Sequence, residues 1–187
     1  MPIETEIKLR VAPDPKPVLE RIQRLGYLAQ GPRQLEVDQL FDRPTGELRG
    51  GGQVLRLRTR GDRSTLTYKG PAERQPHKSR EEIELDLSDG AAFTMVLAAL
   101  GYQPTFRYEK YRTTFVQPNE PGIITLDETP IGAFLELEGP AIWIDRTALD
   151  LGYQKADYIT GSYASLYRGF RAENPTVPLD MVFQYHP

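Results

Sequence analysis

Along much of this chain hydrophobic and polar residues alternate one for one, and three or four stretches break that rhythm with helical spacing. In a strand residues i and i+2 share a face, whereas in a helix residues three and four apart do. Ile3, Ile7 and Leu9 against Glu4, Glu6 and Lys8 therefore predict a strand at the start. The two-faced pattern returns with Leu55 and Leu57 against Arg56 and Arg58, and with Leu66 and Tyr68 against Thr65, Thr67 and Lys69. Ile83 and Leu85 oppose Arg80, Glu82 and Glu84, and Tyr111 opposes Lys110 and Arg112. Leu126 opposes Asp127, and Leu135 and Leu137 oppose Glu136 and Glu138. About eight strands are predicted in all. A helix follows Asp14-Pro15, a cap and then a proline in the first turn, with Val18, Leu19, Ile22 and Leu25 on its apolar stripe. A second follows Ser88-Asp89 with Phe93, Val96, Leu97 and Leu100 on one face; a third spans Asp145 to Gly152 and a fourth Ser162 to Arg168. The first three end alike, at Leu25-Gly26-Tyr27, Leu100-Gly101-Tyr102 and Leu151-Gly152-Tyr153, as a duplicated unit would.

The joints are rich in glycine and proline. Gly50-Gly51-Gly52 is followed by no Gly-Lys-Ser/Thr, so it is read as a tight strand connection and not as a phosphate-binding loop. Asn119-Glu120-Pro121-Gly122 reads as a turn, and polar Gly70 to Lys78, with its two prolines, as a mobile loop. The tail after about residue 175 has no period and receives no element. No segment resembles an interdomain linker, so 1–187 is expected to be one domain.

Composition narrows the chemistry. With 39% hydrophobic and 26% charged residues the chain is an ordinary globular one, and no apolar run approaches the roughly 20 residues a membrane helix needs. The acidic, strand-like start is unlike a signal peptide, and a cytoplasmic protein without membrane association is expected. The absence of cysteine excludes disulfides and thiolate chemistry, and two histidines, His77 and His186, are too few for a His-rich metal site. His77 is assigned no chemistry. A net charge of −3 argues against a nucleic-acid partner.

That small net charge hides an ordered arrangement. Glu4/Glu6 and Glu136/Glu138 make acidic pairs on single strand faces, and Arg56/Arg58 and Lys110/Arg112 make basic ones. Like charges side by side cost free energy unless something of opposite sign binds between them. The amphipathic helices must cover the Leu/Ile-rich face of the same strands, which turns the charged face away from them. A curled sheet would enclose that face as a wet channel. Its natural content is a polyanion held by arginine and lysine, with hard cations held by carboxylates.

The motifs have a familiar order. Glu4-Thr5-Glu6-Ile7-Lys8 has the ExExK form found at the start of CYTH domains, also called triphosphate tunnel metalloenzymes. Leu55-Arg56-Leu57-Arg58, Leu66-Thr67-Tyr68-Lys69-Gly70-Pro71 and Arg80-Glu81-Glu82-Ile83-Glu84 follow; Lys110-Tyr111-Arg112, Leu126-Asp127 and Gly132-Ala133-Phe134-Leu135-Glu136-Leu137-Glu138 complete the series. The chain resembles that family over residues 3 to about 168, and its KGP, REE-x-E and G-x-F-x-E-x-E segments are most similar to the class IV adenylate cyclase branch. The resemblance implies an α+β fold, an eight-stranded antiparallel β-barrel with helices packed outside. It also implies a tunnel that takes a small-molecule triphosphate together with Mg²⁺ or Mn²⁺. Animal-type thiamine triphosphatases carry a tryptophan two residues before the first tunnel arginine; Val54 stands there, and the single tryptophan is Trp143.

On this reading Lys8, Arg56, Arg58, Lys69, Arg80, Lys110 and Arg112 bind the triphosphate. Glu4, Glu6, Glu136 and Glu138 are metal candidates, Asp127 is either a ligand or a support, and Glu82 and Glu84 orient the basic residues. Lys8, with Glu6, is the candidate for activating water, although neighbouring carboxylates would raise its pKa. A triphosphate hydrolase acting on tripolyphosphate or a nucleoside triphosphate is the leading expectation. Its competitors are a class IV adenylate cyclase, making cyclic AMP and pyrophosphate, and a triphosphate- or polyphosphate-binding module without turnover. Oligomeric state is not legible; a homodimer is the form often seen in the family.

Overall fold

The computed structural model describes residues 3–73 and 76–184, so what is expected of Met1, Pro2 and His186 lies outside the described residues. Nine strands are present among these residues: β1 (Ile3–Arg10), β2 (Leu28–Ala29), β3 (Gln34–Asp42), β4 (Val54–Arg60), β5 (Arg63–Lys69), β6 (Lys78–Leu87), β7 (Gln103–Val116), β8 (Ile123–Thr129) and β9 (Gly132–Glu138). The helices are α1 (Lys16–Arg24), α2 (Glu47–Gly50), α3 (Gly90–Ala99), α4 (Ala141–Asp150) and α5 (Tyr163–Glu173). Eight strands run in the order β7-β3-β4-β5-β6-β1-β9-β8, and β8 pairs back with β7, so the sheet is a closed antiparallel barrel. β2 adds two pairs outside it, at Leu28–Val116 and Ala29–Phe115.

Apolar residues on the outer strand face are covered by helices, as their alternation requires. Ile7, Leu9, Ile124, Leu126, Leu135 and Leu137 form one core with Val18 and Ile22 of α1 and Trp143, Ile144 and Ala148 of α4. Phe41 and Leu57 form another with Leu97 of α3. Each large side chain buried this way is worth about 1.5–3 kcal/mol. Gly122 permits the closest of these contacts, because a Cβ there would lie 2.4 Å from the Trp143 ring. Cover is incomplete over β6: Ile83 faces outward as predicted but is 45% exposed, with no helix over it.

The repeated Leu-Gly-Tyr has a local cause that needs no duplication. In each case the glycine is left-handed, at φ 86, 84 and 89°. Its N–H and that of the following tyrosine return to carbonyls three and five residues back, as in Gly26 to Gln23 and Tyr27 to Ile22. This is the Schellman closure, which satisfies helix carbonyls at a position only glycine adopts cheaply.

Several boundaries differ from the sequence reading. α1 takes its cap at Pro15, with Asp14 accepting from the Lys16 N–H. α4 begins at Ala141, four residues before the predicted start, and α5 continues to Glu173. Gly50 belongs to α2, whose first turn is held by Asp42: its carboxylate accepts from the N–H groups of Leu48 and Arg49. The tail is not without structure. Met181, fully buried, bridges Tyr108 of β7, and its N–H and C=O pair with Arg107 and Glu109.

Candidate active site

Directly paired residues of an antiparallel sheet point to the same face, so register alone assembles the barrel interior. Glu36 sits opposite Lys110, Asp38 opposite Arg58, Arg56 opposite Thr67 and Lys69 opposite Glu82. Glu4 lies opposite Arg80, Glu6 opposite Lys78 on one side and Glu138 on the other, Lys8 opposite Glu136, and Arg112 opposite Asp127. All of these except Asp38, Thr67 and Asp127 line one continuous cavity of about 1770 Å³, which runs through the barrel to solvent.

One wall is cationic and held from behind. Arg58 donates to both oxygens of Asp38 at 2.8 and 3.2 Å and lies 3.2 Å from Glu36. Lys110 is 2.6 Å from Asp127 and 3.4 Å from Glu36, and Arg112 grips Asp127 through two bonds of 2.6 Å. Arg56 reaches Thr67 at 3.0 Å and Asp38 at 3.4 Å. Asp38 and Asp127 are fully buried and Glu36 nearly so. They fix the basic side chains before any ligand arrives, the preorganisation that makes an anion site strong. Among the described residues the Nε atoms of Arg56 and Arg80 have no hydrogen-bond partner.

The opposite wall is acidic. Lys69 bridges Glu4 at 2.7 Å and Glu82 at 2.5 Å. Lys8 lies 3.0 Å from Glu136 and 3.4 Å from Glu6, which is also gripped by Lys78. Burial opposes the charge of Glu6, yet Lys8 and Lys78 hold its carboxyl well below the usual range. Burial also opposes the charge of Lys8, but Glu136 and Glu6 raise it above the ordinary lysine value. Lys8 is thereby fixed as a cation, which suits phosphate binding and not proton removal. Burial pushes Lys78 down to about 8, with Lys8 and Arg80 adding to the effect against Glu6. Burial and a hydrogen bond to Glu4 raise Glu82 to about 8, while that bond, against burial, lowers Glu4.

Glu138 has no ion pair among the described residues. Burial, then Glu4, Glu136 and Glu6, push it up to about 7. Four carboxyl groups around one unneutralised member, all hard oxygen donors, fit a hard divalent cation. Among the described residues no three acidic groups are yet gathered closely enough to ligate one ion. Lys69, Lys78 and Lys8 occupy Glu4, Glu6 and Glu136.

At one end the charged interior gives way to an aromatic wall. Tyr163, the first residue of α5, donates to Asp127 at 2.7 Å, and the ammonium groups of Lys110 and Lys8 lie 5.1 and 5.3 Å from its ring centre. Phe134 meets Tyr163 edge-on at 5.6 Å, and Phe106 stacks on Tyr108 at 5.7 Å and leans on Tyr167 at 5.9 Å.

Every residue singled out from sequence thus falls on the barrel interior, although Glu84 stands half exposed. Asp127 lies behind the basic wall, saturated by Lys110, Arg112 and Tyr163. The sequence reading missed Glu36, Asp38, Lys78 and Tyr163. For β3 the signal was present, since Leu35 and Val37 alternate with Glu36 and Asp38. Tyr163 gave none, because helical periodicity does not say that a helix end enters a barrel. The seven basic residues were also expected to be mutually repelling; Lys8, Arg56, Arg58, Lys69, Lys110 and Arg112 each have a carboxylate partner instead.

The family model described as the CYTH domain matches residues 2–160, the whole barrel and most of the chain. The chain belongs to the CYTH domain family. α5, which brings Tyr163, lies beyond the matched stretch. A Methanocaldococcus jannaschii protein named as a candidate adenylate cyclase is 29% identical over 136 residues, covering 73% of this chain and 76% of its own. Among solved structures, a candidate adenylate cyclase from Vibrio parahaemolyticus superimposes with a TM-score of 0.77 at 22% identity, over 89% of this chain and 98% of the other. A Hippeastrum protein, named as a candidate adenylyl cyclase and described as having a dominant triphosphatase activity, gives 0.65 at 17% identity over the full length of both. Other proteins therefore share this fold.

Proposed function

We propose that this CYTH protein hydrolyses triphosphates, tripolyphosphate or a nucleoside triphosphate, with the help of a divalent cation. The observation that carries the reading is the polarity of the cavity, a basic wall braced by buried carboxylates facing an acidic wall in which Glu138 lacks a counter-ion. Arg56, Arg58, Lys110 and Arg112 would hold the phosphate chain, with Lys8 and Lys69 joining as they leave their carboxylates and Arg80 beside them. Glu4, Glu6 and Glu138, with Glu136 beside them, would hold Mg²⁺ or Mn²⁺, which supplies charge neutralisation on phosphate oxygens when bound. Asp127, Glu36, Asp38, Glu82 and Glu84 orient the basic residues. Phosphoryl transfer asks a protein mainly for such positioning and charge stabilisation. That a Hippeastrum relative with a cyclase name is described by its triphosphatase activity supports placing hydrolysis first.

Adenylate cyclase activity is the second reading, favoured by the aromatic wall of Phe106, Tyr108, Tyr163 and Tyr167, on which a nucleobase could lie. Incubation with ATP labelled at the α-phosphorus, and separately with tripolyphosphate, in Mg²⁺ or Mn²⁺, separates the two. Labelled ADP and free phosphate are expected. Cyclic AMP with pyrophosphate as the main products would replace hydrolysis by cyclisation.

A further inference from the structure

We infer that His77 is a positioning residue for the tunnel: by bonding Asp145 on α4 outside the barrel, it fixes the register in which β6 sends Lys78 and Arg80 inward. Only the ligand-affinity part of the test below rests on the triphosphate reading.

β6 is held unevenly along its length. From Glu82 to Leu87 it pairs with β5, and over Lys78 to Glu81 it pairs with β1. On its other side this first part has short contacts with the preceding loop, Glu73 with Ser79 at 2.8 and 2.9 Å and the Gly70 N–H to Glu81 at 2.9 Å. A slip of one residue exchanges the two faces of a strand. Here it would turn Lys78 and Arg80 out of the tunnel and bring His77 and Ser79 in.

Outer-face side chains oppose that slip. The hydroxyls of Thr5 and Ser79 lie 2.8 Å apart, and His77 Nε2 is 2.8 Å from Asp145 Oδ1. Asp145 is itself anchored, accepting from the Tyr158 hydroxyl at 3.0 Å and facing the Lys155 ammonium at 2.7 Å. The His77 ring leans on Tyr158 at 5.9 Å and is 8% exposed. One residue further on, Lys78 is 3% exposed with its ammonium on Glu6. The His77–Asp145 contact, with Thr5–Ser79 beside it, thus bears on where two inner cations stand.

The test uses full-length His77→Ala, His77→Gln, Asp145→Ala and the double alanine variant. Lysines are acetylated without ligand and read by mass spectrometry; tripolyphosphate binding is then measured by calorimetry. In His77→Ala and Asp145→Ala, Lys78 should be labelled about two- to tenfold faster than in wild type, the scale of one lost hydrogen bond, while Lys8 and Lys110 stay protected. The double variant should add nothing, and His77→Gln, which keeps an amide donor, should protect Lys78. Tripolyphosphate affinity should fall by a similar factor in the same variants and recover in His77→Gln. Unchanged Lys78 labelling in both single alanine variants overturns the proposal, as does simultaneous exposure of all three lysines in both. If tripolyphosphate fails to bind wild type, the triphosphate reading falls and the labelling result still decides the role of His77.

Discussion

Glu138 and Glu82 keep a proton to higher pH than an ordinary glutamate near 4.5, and the sign of that shift bears on stability. Between the unfolded value and about 7 the folded chain holds a proton on Glu138 that the unfolded chain has lost, so stability falls as pH rises through that window. Glu6, Glu36 and Glu136 are shifted the other way, and their contribution is lost only as pH falls below the ordinary carboxylate range. Glu138→Gln stays neutral throughout. Without divalent cation, its melting temperature relative to wild type should therefore climb between about pH 5 and 8. A constant difference across that range would mean that Glu138 is not proton-bound. The same variant should keep the fold yet lose activity on the order of a hundredfold at saturating Mg²⁺. Undiminished turnover across a Mg²⁺ titration would remove Glu138 from the metal site.

β3 shows what an element contributes when it carries no ligand of its own. Its Glu36 and Asp38 stand behind five basic side chains from β4 and β7. Removing one member of a buried ion pair strands the other, at about 3–5 kcal/mol. Asp38→Ala should lose stability on that scale by chemical denaturation, whereas Glu84→Ala, at a half-exposed side chain, should cost less than about 1 kcal/mol. Equal losses would place the bracing elsewhere. The strands were legible because their period is short and their charges paired by sign, and the helix ends because glycine marks them. β3 was overlooked although its alternation is plain, since its acidic residues complement cations that only the folded register brings beside them. α5 was legible as a helix, but its entry into the barrel depends on tertiary packing that no local pattern encodes.

In the whole molecule the pairing of the cations changes how a polyanion should act. On the proposed function, binding would not relieve repulsion between bare basic residues; it would exchange protein carboxylates for phosphate, and a cation would take the carboxylates left behind. Tripolyphosphate should therefore stabilise by about 2.7 kcal/mol at a hundredfold excess over its dissociation constant, and by more at the same concentration when Mg²⁺ is present. Monophosphate at equal concentration should do far less. Equal shifts in melting temperature from both anions would show that the cations act singly.

The closure of the barrel has a kinetic side. β1 at one end of the chain is zipped to β9 near the other, Lys8 beside Glu136, and β3 must find β7, Glu36 beside Lys110. Such distant partners form few early contacts, and folding slows as the mean sequence separation of contacts grows. The ring cannot shut until β9 has been synthesised, so the nascent chain waits with its charged strands apart. The ion pairs across the two long-range seams, Lys8 with Glu136 and Lys110 with Glu36, should thus form after those between neighbouring strands, such as Arg58 with Asp38.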